Sequence, residues 1–208
     1  MFNRLHGPDL RLLAGCLLAS VMVAANVATA QRVEHEGFVT PATPGPQWER
    51  VSGPQPNHGV AFAYHDARFR DYADNHKVAP AAVVRVSVVE LTPDDVDTPD
   101  HIWTAADRLM VKASPPGAAL RHYSSGKVVN GGLPCANAEA IAVRSVSGVE
   151  VTIITRHVLC AHPLVPNALL HTGLTLHQID DWDNLDAAGT HEAEAFLDAV
   201  QFAPMPTR

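Results

Sequence analysis

Residues 135–160 read CANAEAIAVRSVSGVEVTIITRHVLC. Two runs rich in β-forming residues, 136–146 and 149–159, flank Ser147-Gly148, a two-residue break of the kind that closes a β-hairpin. With those residues as the turn, Val146 faces Val149, Ile141 faces Ile154, Glu139 faces Arg156, and Cys135 faces Cys160. Opposed residues in a non-hydrogen-bonded antiparallel pair come close enough for a disulfide. Register and cysteines therefore support one another. The stretch predicts a long antiparallel hairpin stapled at its open end.

Downstream, Cys160 is followed by Ala161-His162-Pro163 and a turn, then by the strand pattern LLHTGLTLHQI at 169–179. Leu170, Thr172, Leu174 and Leu176 alternate with His171, Gly173, Thr175 and His177, which predicts one packed face and one polar face. Residues 180–184 (DDWDN) form an acidic connection whose spacing does not fit a calcium loop. Thr190 is a candidate cap for a last helix with Ala193, Phe196, Leu197 and Val200 as its apolar stripe. Phe202 starts a short final strand, and residues 204–208 are expected to form a flexible tail.

Upstream, residues 119–124 and 127–130 flank Ser125-Gly126 and suggest a further small hairpin. Thr98-Pro99-Asp100 has the chemistry of a helix start, and the helix is expected to reach Lys112 with Ile102, Ala106, Leu109 and Met110 buried. AAVVRVSVVEL at 81–91 is the clearest single strand, with Val84, Val86 and Val88 on one face and Arg85 and Ser87 on the other. GVAFAY at 59–64 is another. The connection between them holds His65, Asp66, Asp71, Asp74 and His76, which are metal-ligand types without a recognisable metal-loop spacing and read as solvated loop side chains. Residues 31–58 are rich in Pro and Gly and suit an irregular approach to the domain, with edge strands at Phe38-Val39 and at 48–51 and with Trp48 covering one end of the core.

Residues 1–30 read as a secretory signal: Arg4 and Arg11, a long apolar run, then Ala28-Thr29-Ala30 before Gln31. Two alternatives exist, a lipobox at Leu13-Ala14-Gly15-Cys16 that would lipidate Cys16, and an uncleaved anchor. Cleavage would leave a single domain over 59–203 after the 31–58 segment. It would also turn the formal net charge from −7 to −8, since Arg4, Arg11 and Asp9 leave together. That balance argues against a nucleic-acid footprint and against adhesion to anionic lipid. Cys135 and Cys160 would remain, an even pair suited to an oxidising compartment.

Histidine is the unusual inventory, with 12 in the chain. HVLCAH at 157–162 has the look of a ligand cluster, but a disulfide removes Cys160 as a thiolate ligand. His157 and His177 could still share a two-histidine Cu²⁺ or Zn²⁺ site if their strands are neighbours. No nucleophile elbow, zinc-protease helix or dinucleotide fingerprint occurs in the chain.

The order of elements resembles the PsbP-like domain, the fold of the extrinsic photosystem II subunit, of Ran-binding Mog proteins and of many exported bacterial proteins. The resemblance covers about residues 36–203. It is carried by the aromatic-led first strand, a hairpin, the helix HIWTAADRLMVKA after a Val-rich strand, Cys160-Ala161-His162-Pro163 at a strand end, and EAEAFLDAVQF at the close. It implies an α+β fold, an antiparallel β-sheet with helices packed on it in an α/β/α sandwich, and a binding or assembly role. It transfers no catalytic residue and no partner. The expectation from sequence is an exported, non-catalytic binding or accessory protein of the cell envelope. It would hold no cofactor, carry no membrane span after signal cleavage, and bind a protein or small molecule that the sequence does not identify. The alternatives are the histidine-based metal binder and a hydrolase with a dispersed site.

Overall fold

The computed structural model describes residues 31–52, 59–66, 80–91, 102–105, 108, 117–130, 132–179 and 187–205. The signal segment with Cys16, the ligand-type residues Asp71, Asp74 and His76, the acidic connection 180–184 and the last three residues lie outside them.

Strands β1 (Arg32–His35), β2 (Phe38–Pro41) and β10 (Gln201–Phe202) form a small sheet in the order β1-β2-β10. Strands β3 (Trp48–Arg50), β4 (Val60–Tyr64), β5 (Ala81–Glu90), β6 (Ala119–Asn130), β7 (Leu133–Val146), β8 (Val149–Ala161) and β9 (Ala168–Ile179) form the main sheet. Its order is β3-β4-β5-β9-β8-β7-β6, antiparallel throughout. Among the described residues the only long helix is the C-terminal one, Ala187–Asp198, while 102–105 and 108 are helical positions of the expected 98–112 segment. The molecule is therefore mostly antiparallel β, richer in strand than a sheet sandwiched by helices.

The organising hairpin has the register its turn dictates. Ser147 and Gly148 both have positive φ (53° and 83°), as the primed hairpin turn requires. The pairs Val146↔Val149, Ile141↔Ile154, Glu139↔Arg156 and Cys135↔Cys160 follow without a bulge. The Cys135 and Cys160 sulfurs are bonded, with Cα atoms 4.0 Å apart.

Three local expectations are corrected. Residues 119–130 form one continuous strand, not a hairpin around Ser125-Gly126. Gly126 crosses Asn137 so closely that a Cβ would stand 2.8 Å from its Oδ1, so this glycine permits strand approach and makes no turn. The last helix starts at Ala187, which puts Thr190 inside it and not at its cap. The second face of the 169–179 strand is covered as well: His171 and the facing Ser87 are both buried.

The main core lies on one face of β4, β5 and β9. Val84, Val86, Val88, Leu170 and Leu174 pack there against Ala193 and Phe196 of the C-terminal helix, and Phe62 meets Phe196 edge to face at 5.3 Å. Residues 31–52 contribute Phe38 and Trp48 to this core, and Trp48 covers one end of it, edge-on to Tyr64 at 5.2 Å. A second cluster on the opposite face joins Ala136, Leu159 and Leu169 to Ile102, Trp103 and Ala105 of the first helical segment.

Candidate functional site

Side chains alternate across a strand, so the registers decide which residues share a face. Three rows cross β7, β8 and β9 on the helix-bearing side: Cys135–Cys160–Leu170, Asn137–Val158–Thr172 and Glu139–Arg156–Leu174. The C-terminal helix packs on β5 and β9. Among the described residues the β8, β7 and β6 half of this face carries no helix and forms the floor of a groove. Glu194, Leu197 and Asp198 of the helix, with Val200 and Phe202 beyond it, wall one side, and Ser124, Gly126 and Asn130 of β6 line the other. The cavity measures about 1160 Å³.

Its floor is apolar at Val158, Leu170 and Leu174, and its rim carries hydroxyl, amide and charged groups. Arg156 Nε donates to Glu139 Oε2 at 3.0 Å, and both side chains are well exposed. Solvent screening makes such a pair worth little to stability, about 0–1 kcal/mol. Both residues line the groove.

The opposite face carries the histidines. His157 pairs across β8–β9 with Gly173, and the missing side chain there lets its ring lie over β9: a Cβ on Gly173 would stand 2.6 Å from His157 Nδ1. His157 Nδ1 lies 2.7 Å from Nε2 of His171, and His171 Nδ1 lies 3.3 Å from Oγ of Ser87. The result is a chain of polar atoms, Ser87–His171–His157, running through the sheet face. Burial pushes the His157 imidazole down to about 4, helped by the Arg85 guanidinium. Burial pushes His171 down to about 3, helped first by His157 and then by Arg85. Both rings are neutral at pH 7, and one N–H is shared between them. Nε2 of His157 is buried without a hydrogen-bond partner.

The serine–imidazole contact has the outline of a nucleophile and its base. Ser87 is 3% exposed and His171 7%, and neither lines the groove, so a substrate carbonyl has no approach to the hydroxyl by that route. The chain is a polar insert in a covered sheet face.

The two histidines singled out from sequence are not brought together. His177 pairs with Ile153, four positions along β8 from His157, which separates the two by roughly 13 Å at strand rise. His157 meets His171 instead, a partner that sequence spacing did not single out. His177 has its own neighbourhood, where burial and then Arg144 lower its imidazole below the ordinary value. Of the 65–76 group, His65 contacts the exposed Glu49 at 3.4 Å. Among the described residues no three His, Cys, Asp or Glu side chains gather as a metal-binding group. His162 is fully engaged: Leu164 N–H donates to its Nδ1 at 3.1 Å, so its Nε2–H donates to the Gly37 carbonyl at 2.6 Å.

No protein-family model matches the chain, and no curated protein matches its sequence. Among solved structures, the chain is similar to LpqN of Mycobacterium tuberculosis, a protein involved in cell envelope biogenesis. That similarity has 15% identity and a TM-score of 0.45, over 84% of this chain and 90% of that one. It is also similar to the Ran-binding protein Mog1p of Saccharomyces cerevisiae, at 9% identity and a TM-score of 0.48, over 84% of this chain and 97% of that one. Both are distant likenesses in overall fold, and neither of the two is PsbP.

Proposed function

We propose that the chain is an exported, non-catalytic binding or accessory protein of the cell envelope, and that its groove receives the ligand. The observation that carries this reading is the groove's construction. An apolar floor with a few oriented polar groups at the rim is the composition of a ligand cleft. Its base is four paired strands cross-linked by Cys135–Cys160, so the cleft is held in shape before anything binds. Export is supported by the signal pattern of residues 1–30 and by the disulfide, which persists in an oxidising compartment.

The test is native mass spectrometry on protein expressed with its own first 30 residues and recovered from the envelope. The expected species begins at Gln31, is two hydrogens light, and carries a non-covalent organic adduct. Val158→Trp, which sets an indole on the groove floor, should lose that adduct while melting like the parent. An adduct retained in full by Val158→Trp places the ligand elsewhere and overturns the groove. A diacylated species beginning at Cys16 would make the chain a tethered lipoprotein. A metal adduct of fixed stoichiometry that disappears with His157→Ala or His177→Ala would establish the histidine alternative in place of the groove.

A further inference from the structure

The groove carries a charge, and it lies along the helix wall. Among the described residues its lining holds three carboxylates, Glu139, Glu194 and Asp198, against a single guanidinium, Arg156. Glu139 already engages Arg156 at 3.0 Å, so that pair offers an incoming ligand no net charge. Glu194 and Asp198 remain. Both are exposed, and among the described residues neither has an ion-pair or hydrogen-bond partner.

Neither carboxylate serves the helix that bears it. They stand four residues apart in Ala187–Asp198, on one face, and like charges at that spacing repel. Asp198 is also the last helical residue, at the end where the helix dipole is negative and favours cations, and the last turn contains no basic residue. Helix stability alone would place neutral or basic side chains here. A positive charge in the groove would relieve both the mutual repulsion and the negative helix end.

The floor decides what carries that charge. Val158, Leu170 and Leu174 belong to β8 and β9, strands paired on both sides, so the backbone beneath them is spent within the sheet. A peptide laid on these side chains would bury N–H and C=O groups that the floor cannot answer. A hydrocarbon meets no such cost. The three rows that cross the floor span roughly 13 Å along the strands, room for an extended apolar body.

We propose, resting on the groove as the ligand site, that its occupant is a lipophilic amine. This is an organic cation whose ammonium sits against Glu194 and Asp198 and whose hydrocarbon body lies on Val158, Leu170 and Leu174. The same wall turns away anionic amphiphiles by repulsion.

The probes are n-decylamine, n-decanol and n-decanoate, which share a chain length and differ in charge at pH 7. Each is titrated by calorimetry into the protein recovered from the envelope. Decylamine should bind one to one and about tenfold more tightly than decanol, with decanoate weaker than either. Its affinity should fall as salt rises. Glu194→Gln combined with Asp198→Asn should bring decylamine to within about threefold of decanol. The same double variant should leave decanol binding unchanged and hold or raise the melting temperature. Val158→Trp separates the ligand class from the site. If it abolishes binding of the probes while the parent shows no preference for decylamine over decanol, the groove stands and the amine is overturned. If it binds decylamine as tightly as the parent does, the groove falls and the amine with it. Absence of decylamine binding at millimolar concentration also overturns the proposal, as does an undiminished preference for decylamine in the doubly neutralised variant.

Discussion

Nδ1 of His157 and Nε2 of His171 approach to 2.7 Å across neighbouring strands of a covered sheet face. The approach depends on Gly173, which stands between them on β9 and offers no side chain. One proton is enough for the contact, and a second has nowhere favourable to go. A doubly protonated pair would oppose two N–H groups, beside Arg85 and away from water. The site stores a pH dependence in the fold, on the face away from the groove.

Folding stability should therefore fall with acid earlier than carboxylate titration alone would cause. Both imidazoles are lowered from 6.5, to about 4 for His157 and about 3 for His171. Between pH 6.5 and 4 the unfolded chain binds more protons than the native one, so unfolding free energy rises with pH across that window and is fully present above it. For the first proton on the pair the loss at pH 5 relative to pH 7.5 is on the order of 2 kcal/mol. His35 and His177 are lowered too, and add with the same sign. Urea titrations at the two pH values should show the loss, and His171→Gln should flatten it. An unchanged slope in that variant would remove the pair as its source.

How far the sequence reached depended on turn length. The 135–160 hairpin was legible because a two-residue turn leaves a single register, and twelve cross-strand pairs follow from Ser147-Gly148. The next connection runs from His162 to Asn167, and a loop of that length fixes no register. The sequence therefore leaves His157 free to be matched with His177, whereas the observed register puts Gly173 opposite and His171 diagonal. Local chemistry also misled at Ser125-Gly126, where turn-like residues sit mid-strand because β7 pairs the whole run. The groove was illegible for a different reason. It exists only where the C-terminal helix ends over a sheet whose order, β5-β9-β8-β7-β6, no local pattern encodes.

Removing the staple tests the hairpin. Cys135 and Cys160 are 25 residues apart in sequence, and closing such a loop restricts the unfolded chain. Cys135→Ala should lower unfolding free energy by roughly 3 kcal/mol and leave one thiol titratable in the native protein. The parent without residues 1–30, and so without Cys16, should show none. Two reactive thiols in the native parent would contradict the bonded pair and remove the main support for a pre-shaped groove floor.

The final prediction concerns the clasp between the N-terminal segment and the C-terminal helix. Glu192 Oε2 accepts from Trp48 Nε1 at 3.1 Å, and the same carboxyl lies directly over Gly45, where any Cβ would overlap it. The glycine leaves room for the carboxylate, and the carboxylate satisfies an indole at the end of the main core. Gly45→Ala should push Glu192 aside, break the indole contact, and cost about 1–2 kcal/mol. In a Glu192→Ala background the obstacle is gone, so the same substitution should cost only a few tenths of that unit, about 0.3 kcal/mol. The coupling is the measurement: a double-mutant cycle by urea denaturation should give an interaction of about 1 kcal/mol. Additive costs would mean that residue 45 acts through backbone conformation alone, and that the clasp contributes nothing to joining the two ends of the chain.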